Sequence, residues 1–348
     1  MHKATLIEGL LELTITPDGP ILIKAGESGG ADPTLPDMEF VRTRRGGVSQ
    51  VYLPGPSLKG VVRAQCERIC RSLDSEEQQR RRQQHRQERF GSDEPLIPLA
   101  DNPLGDQTNY KGLSDMEYSS GRAIEAMKLE GDGRTAAVYR RSSFVSQIFG
   151  HTSLAGRVRF ADAYSDDLRP ELIEERNGVA IDRIYGSVAV GPFNYETVIG
   201  GNFKTKVNFK NLTLAQLGLL GLALRDLAEG RVALGFGKSR GLGRVKVSFD
   251  RLRLFYPTCE LAGGELRLIG GRPVAPASKL AGLGALATGA GYAGYNLPPA
   301  DADTSELPEG LAYAADEFMG VELRAEGDGQ VRAIWKACMP AWRRELGL

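Results

Sequence analysis

Apolar residues recur along this 348-residue chain at two spacings, one strand-like and one helical. Between Ala4 and Lys24 the run Leu10-Leu11-Glu12-Leu13-Thr14-Ile15 alternates in part and is broken by Pro17-Asp18-Gly19-Pro20. That predicts a first strand with a bend or bulge. Gly, Pro, Asp and Arg dominate 25–50, which predicts a loop with little regular structure, followed by the short strand Val51-Tyr52-Leu53. Pro54-Gly55-Pro56-Ser57 predicts a turn and a helix start with Ser57 as N-cap. Leu58, Val61, Val62, Ile69 and Leu73 continue that helix, with Lys59, Arg63 and Arg68 between them.

The run from Glu76 to Arg89 is almost wholly charged or glutamine and includes Arg80-Arg81-Arg82. It reads as a solvated helical extension or a mobile insertion, with an RNA-binding arm as the alternative. The stretch 95–133 is irregular by composition, and order is expected to resume near Phe144. Ile148-Phe149-Gly150 precedes a strand candidate from Gly156 to Ala163. Two strand-like segments, 178–190 and 193–209, follow, the first containing Ile181-Asp182-Arg183. Thr213 to Leu227 is a strongly apolar helix with Thr213 as N-cap and Gly230 beyond its end. Val245 to Phe255 is the last clear strand pair. Strand, helix, strands, helix, strand is the order of an α+β fold with helices on one face of an antiparallel sheet, and specifically of a ferredoxin-like βαββαβ core. From Pro257 the texture changes: 275–299 is mostly Ala, Gly, Leu and Pro, and 300–309 is acidic. An appended element covering a neighbouring subunit, or a small helical cap, would fit.

Formal net charge is zero, yet 201–251 holds ten Lys/Arg against three Asp/Glu, so a local basic face can meet a phosphate backbone. The cysteines Cys66, Cys70, Cys259 and Cys338 form no CxxC pair. Cys66 and Cys70, one turn apart, could ligate zinc with His85, but two buried thiols on an amphipathic helix fit better. No signal peptide stands out at the N-terminus and no apolar run reaches about 18 residues, so the expectation is a cytoplasmic protein with reduced thiols.

Gly235-Phe236-Gly237-Lys238-Ser239-Arg240-Gly241-Leu242-Gly243-Arg244 sets four glycines and three cations in ten positions, between the apolar helix and the last strand. Glycines let the backbone reach φ > 0 and approach a ligand, and the cations suit a polyanion. A glycine-rich turn between helix and strand is the plainer reading. The loop lacks the GxxxxGK[ST] order and leads into a strand, which argues against a nucleotide phosphate cradle and a nucleotide cofactor.

Four segments in this order resemble the RAMP superfamily of CRISPR systems, and within it the repeating backbone subunit of type III effector complexes. They are Leu53-Pro54-Gly55-Pro56-Ser57-Leu58-Lys59-Gly60-Val61-Val62-Arg63; Ile148-Phe149-Gly150 with Gly156-Arg157-Val158-Arg159-Phe160-Ala161-Asp162-Ala163; Ala180-Ile181-Asp182-Arg183; and the glycine loop. The resemblance covers about Ala4 to Phe255. It implies an RRM-like domain over 1–256, interrupted near 74–143 and 165–210 by a lid and a thumb, with 257–348 as a C-terminal extension. It also implies binding to the backbone of a guide RNA (crRNA), pairing of that guide with a single-stranded target RNA, and contact with other effector subunits. The RNA-binding residues so implied are Ser57, Lys59, Arg63, Arg183, Gly237, Lys238, Arg240, Gly241, Gly243 and Arg244. Lys59 and Arg63 lie one turn apart near the positive end of a helix dipole, which suits phosphate; solvated cations on a capped helix are the bland alternative. Arg183 beside Asp182 reads equally well as a surface ion pair.

The resemblance further implies target cleavage as an endoribonuclease, using an aspartate in the loop after the first strand. Asp37 in Asp37-Met38-Glu39-Phe40-Val41-Arg42 fits, with Asp32 in Gly29-Gly30-Ala31-Asp32 as reserve. Such a carboxylate can help hold Mg2+ or another divalent ion at the RNA. Met38-Glu39 and Pro56 depart from the family pattern, which leaves a catalytically inactive structural subunit open. A guide-processing endoribonuclease of the same superfamily would need a histidine, and only His2, His85 and His151 exist, His151 in a structural position.

Overall fold

The computed structural model describes residues 3–26, 36–112, 115–131 and 133–347. Strand β1 spans Glu8–Pro17 and buries Leu11, Leu13 and Ile15 on one face; it ends at the expected break, and its register against a later strand shifts instead between Glu12 and Leu13, where Asp250 of that strand is the extra residue. The loop expected over 25–50 instead contains a hairpin of β2 (Arg42–Arg45) and β3 (Val48–Val51). Its two-residue turn, Gly46-Gly47, has φ of +58° and +85°, a conformation that matches the twist of paired strands and suits glycine.

Helix α1 (Gly55–Leu73) begins at Pro54 rather than Ser57, which lies inside the first turn. No side chain of the adjoining segment caps it. The Asp162 carboxylate accepts the Gly55 N–H at 2.7 Å, so a partner more than a hundred residues away replaces the local cap. Leu58, Val62, Cys66 and Cys70 form its buried face.

Helix α2 (Glu76–Phe90) opens on a capping box between Ser75 and Gln78. It is the helix expected, and Arg80 and Arg81 are solvated, but its other face is packed. Arg82 pairs with Asp74, and Arg86 with Glu94, whose side chain is 1% exposed and also takes Arg140 and Arg141. Burial would raise the Glu94 carboxyl, but hydrogen bonds from these arginines outweigh it and hold the pKa below the ordinary value. Helix α3 (Ser120–Met127) interrupts the stretch expected to be irregular, and α4 (Arg134–Arg140) and α5 (Phe144–Phe149) follow.

Strand β4 is short (Val158–Phe160). β5 (Ile173–Ile181) and β6 (Val188–Val198) form a separate hairpin, and β7 (Phe203–Lys210) returns to the main sheet, so the expected strand over 193–209 is divided between two sheets. Helix α6 (Leu214–Ala228) starts where predicted: Gln216 N donates to Thr213 Oγ1 and Thr213 N to Gln216 Oε1, both at 3.2 Å. β8 (Val245–Tyr256) is one twelve-residue strand, not a pair.

After Tyr256, β9 (Cys259–Ala262), β10 (Glu265–Leu268) and β11 (Pro273–Pro276) form a small sheet. β12 (Lys279–Ala281) pairs with β13 (Thr304–Glu306) across the one-turn helix α7 (Leu283–Leu286). Then β14 (Tyr313–Ala315) and β15 (Val321–Glu326) extend the main sheet, and α8 (Gly327–Glu345) joins its helical layer. The architecture is mixed α+β: a six-stranded sheet in the order β14-β15-β8-β1-β7-β4, antiparallel throughout, with α1, α6 and α8 over its apolar face. The closest helix seam depends on Gly221 of α6, where a Cβ would sit 2.4 Å from Trp335 Cγ of α8. Trp335 in turn meets Phe249 of β8 edge to face at 4.5 Å.

Candidate nucleic-acid interface

The glycine loop is built against the segment that follows β1. Phe236 N donates to Leu22 O at 2.7 Å, Gly243 N to Pro20 O at 2.9 Å, and Leu234 N to Gly243 O at 2.7 Å. A Cβ on Gly235 would lie 2.2 Å from Leu22 O, and one on Gly243 2.2 Å from Leu234 O. These two glycines therefore answer the chain's own backbone, where the sequence suggested approach by a ligand. Between them Lys238–Arg240 makes one 3-10 turn bracketed by Gly237 and Gly241, both at positive φ, and a side chain at Gly241 would meet only open space.

The loop's cations have different neighbours. The Arg240 guanidinium lies 5.7 Å from the Phe193 ring centre and 5.2 Å from that of Phe236, whose side chain is 39% exposed. An arginine stacked between two partly open rings is a surface on which a base can stack. Lys238 faces Arg68 of α1; partial burial, then that like charge, push its pKa down. A cation held beside another cation gains from a phosphate neighbour. Arg244 is bound to Asp18 at 3.0 Å, which also holds Lys246 at 2.9 Å.

Asp37 meets this surface from the other side. Its Oδ2 accepts the Asn194 N–H at 2.9 Å, and Oδ1 has no partner among the described residues. Met38 pairs with Tyr195, while the Glu196 carboxylate takes both the Phe40 N–H at 2.9 Å and the Arg42 guanidinium. The segment 36–42 is thus fixed along β6, and consecutive β6 residues, Phe193 and Asn194, touch Arg240 and Asp37 respectively. Asp32 lies outside the described residues.

The other candidates separate. Lys59 is half-buried with no acidic partner among the described residues; burial, then Arg63 and Arg159, lower its pKa. It adjoins a groove of about 370 Å³ on the polar side of the sheet, lined by Arg159, Lys210 and Arg253. Arg63, by contrast, spends its donors inside the protein, on Glu67 Oε1 at 2.9 Å, Gly150 O at 2.9 Å and Ser146 Oγ at 3.2 Å. Ser57 is half-buried in the first turn of α1. Lys59 and Arg68 are nine residues apart, about 180° around the helix, so the Lys59 groove and the glycine loop flank α1 on opposite sides.

Arg183 stands exposed in the β5–β6 turn. Asp182 does not pair with it: its Oδ1 accepts the N–H groups of Ile184 and Tyr185, each at 2.8 Å, and shapes the turn. Ile184 and Tyr185 beside it are both 83% exposed.

Described residues offer no group of three or more His, Cys, Asp or Glu for a metal ion. One free carboxylate oxygen at Asp37 does not by itself supply the six or so oxygens a divalent cation takes, and no step is derived through one. The sequence places Arg68 and Arg159 in their segments but does not assign them to the site, and it does not single out Phe193 and Asn194, because each acts through a neighbour distant in the chain. No helix among the described residues is long and apolar enough to cross a membrane.

No curated protein matches the chain at a significant level. The RAMP superfamily model matches residues 14–246, a span that runs from β1 through the glycine loop into β8, and the chain belongs to that superfamily.

Proposed function

We propose that this protein is a backbone subunit of a type III CRISPR effector, which holds guide RNA with its glycine loop and cleaves the paired target RNA beside Asp37. Membership of the RAMP superfamily supports an RNA-binding role in a multi-subunit, CRISPR-associated assembly. The observation that carries the finer reading is the convergence on β6: an exposed carboxylate with one oxygen free among the described residues and an arginine beside two aromatic rings touch adjacent residues midway along the β5–β6 hairpin. Arg240 and Lys238 would hold RNA by stacking and charge, reading shape while base pairing reads sequence. The free Asp37 oxygen would accept a hydrogen bond from a ribose 2′-hydroxyl and position it at the scissile phosphate.

A ferredoxin-like core is the fold half of this proposal. Its support is the strand order β8-β1-β7-β4, with α1 following β1 and α6 following β7. The lone carboxylate supports a second reading, a structural subunit without chemistry of its own. Guide processing by His151 has less support. Ser153 N donates to its Nδ1 at 3.2 Å, which leaves Nε2 as the protonated nitrogen, 2.8 Å from Ser142 Oγ, and burial lowers its pKa. Purification of the chain from cells with an active repeat array tests the assignment: RNA of uniform guide length should co-purify, and RNA of random length, or none, would overturn it.

A further inference from the structure

The arginine-rich helix α2 serves no part of the interface described above, and its charge is not spread at random. Arg81, Arg82, His85, Arg86 and Arg89 recur at spacings of three and four, so they form one stripe along the helix. That stripe is one wall of a cleft of about 410 Å³, none of whose lining residues belongs to the RNA interface. Arg344 of α8 adds a fifth arginine from the opposite wall; Asp303 and Glu345 are the lining carboxylates.

Three observations say what the cleft suits. Arg86 is 8% exposed and its Nε has no hydrogen-bond partner, and the same holds for Arg82 Nη1, although both residues pair elsewhere through Nη2. Buried guanidinium donors left open are costly unless something accepts them. Next, the wall is neutralised only in part: Arg81 pairs with Glu77, Arg82 with Asp74 and Arg86 with Glu94, while Arg89 and Arg344 hydrogen-bond only neutral oxygens among the described residues. Asp303 is turned to the backbone, accepting Leu214 N at 2.8 Å and Gly284 N at 2.6 Å, and neither it nor Glu345 forms an ion pair with the stripe among the described residues. Finally, Ile97, Leu99, Phe144 and Leu297 give the cleft apolar walls, with the Gln216 amide bonded to the Tyr139 hydroxyl at 2.8 Å. A site of this size with apolar walls and a few convergent polar groups is of small-molecule scale, and planar guanidinium forks suit phosphate.

We infer that the cleft between α2, the start of α6 and the end of α8 is a binding site for a nucleoside phosphate, with the phosphate on the α2 arginines and the base between the apolar walls. The glycine loop's unsuitability as a phosphate cradle has no bearing on it. The ligand could be a free nucleotide or the terminal nucleotide of an RNA strand, which share this chemistry.

Isothermal titration of the full chain with AMP, adenosine and inorganic phosphate tests the site. AMP should bind at least tenfold more tightly than either adenosine or phosphate. The Arg89→Ala/Arg344→Ala variant should lose at least tenfold in AMP affinity with an unchanged melting temperature. Arg86→Gln should do the same, and if it fails to fold the surface pair carries the test alone. Displacement of AMP by a 5′-phosphorylated RNA hexamer would identify a strand end as the source, and failure to displace it the free nucleotide. No AMP binding at millimolar concentration, equal binding of adenosine and AMP, or AMP affinity unchanged in the double variant would each overturn the inference.

Discussion

Asn194 donates its backbone N–H to Asp37 Oδ2 at 2.9 Å, so one aspartate oxygen is committed to the protein and the other is spare among the described residues. The carboxylate is thereby oriented by β6, the strand whose preceding residue, Phe193, lies 5.7 Å from Arg240.

Replacing Asp37 separates position from binding. Asp37→Ala should reduce cleavage at one target position by about 100-fold or more, the scale of a lost acid-base or positioning group, while guide and target affinities stay unchanged. Fragment lengths on a sequencing gel, from a reconstituted effector with a defined guide, supply the measurement. Undiminished cutting would leave the structural-subunit reading in its place.

The glycine loop's cations should differ in effect. Lys238→Ala and Arg240→Ala should each weaken guide RNA and lower the slope of log affinity against log salt by about 0.7, as for one phosphate contact on a single strand. Arg244→Ala should do less, because Asp18 already pairs that side chain. Equal slopes for all three variants would refute this ranking.

Arg63 should behave as a structural residue. Its loss leaves Gly150 O without that donor, and leaves buried Glu67, among the described residues, with only Arg71 at 3.5 Å. Arg63→Ala should therefore cost about 1–3 kcal/mol in urea denaturation, with the salt slope of RNA binding unchanged.

The seam between α6 and α8 should resist any added methyl. Gly221→Ala places a carbon against Trp335, and about 1–3 kcal/mol of stability should be lost by the same measurement.

Asp303 should make stability fall as pH rises. Burial, only partly offset by the N–H groups of Leu214 and Gly284 and by Arg344, raises its pKa to about 6 from the ordinary 3.8. The folded protein therefore holds the proton more tightly than the unfolded chain. Its contribution is fully present below about pH 4 and is lost as pH climbs through about 6, on the order of 3 kcal/mol over the window. Asp303→Asn should remove that part of the slope, read as the difference between the two urea-midpoint profiles.

Legibility in the sequence followed the range of the interactions. Helix α6 could be placed because its capping box lies within four residues, Thr213 to Gln216. The start of α1 could not, because Asp162 caps it from across the fold. Hairpin β2–β3 had a local signal in Gly46-Gly47, but the surrounding arginines masked it as loop. Helix α2 read as solvated because its partners Asp74 and Glu94 lie outside the run. In the candidate site the motifs singled out Asp37 and the glycine loop separately, and the contacts of both with β6 were not legible because Phe193 and Asn194 are distant in the chain. The motifs could not show that Arg63 is spent internally, nor that α1 stands between Lys59 and Lys238.

Both rims of the main sheet are three-residue strands, β14 on one side and β4 on the other. Short rims offer too few unpaired N–H and C=O groups to template another chain, which is how sheets avoid joining edge to edge. Copies of this protein brought side by side would therefore not fuse into a continuous sheet. Their spacing would be left to loops, helices and whatever strand of RNA runs across them.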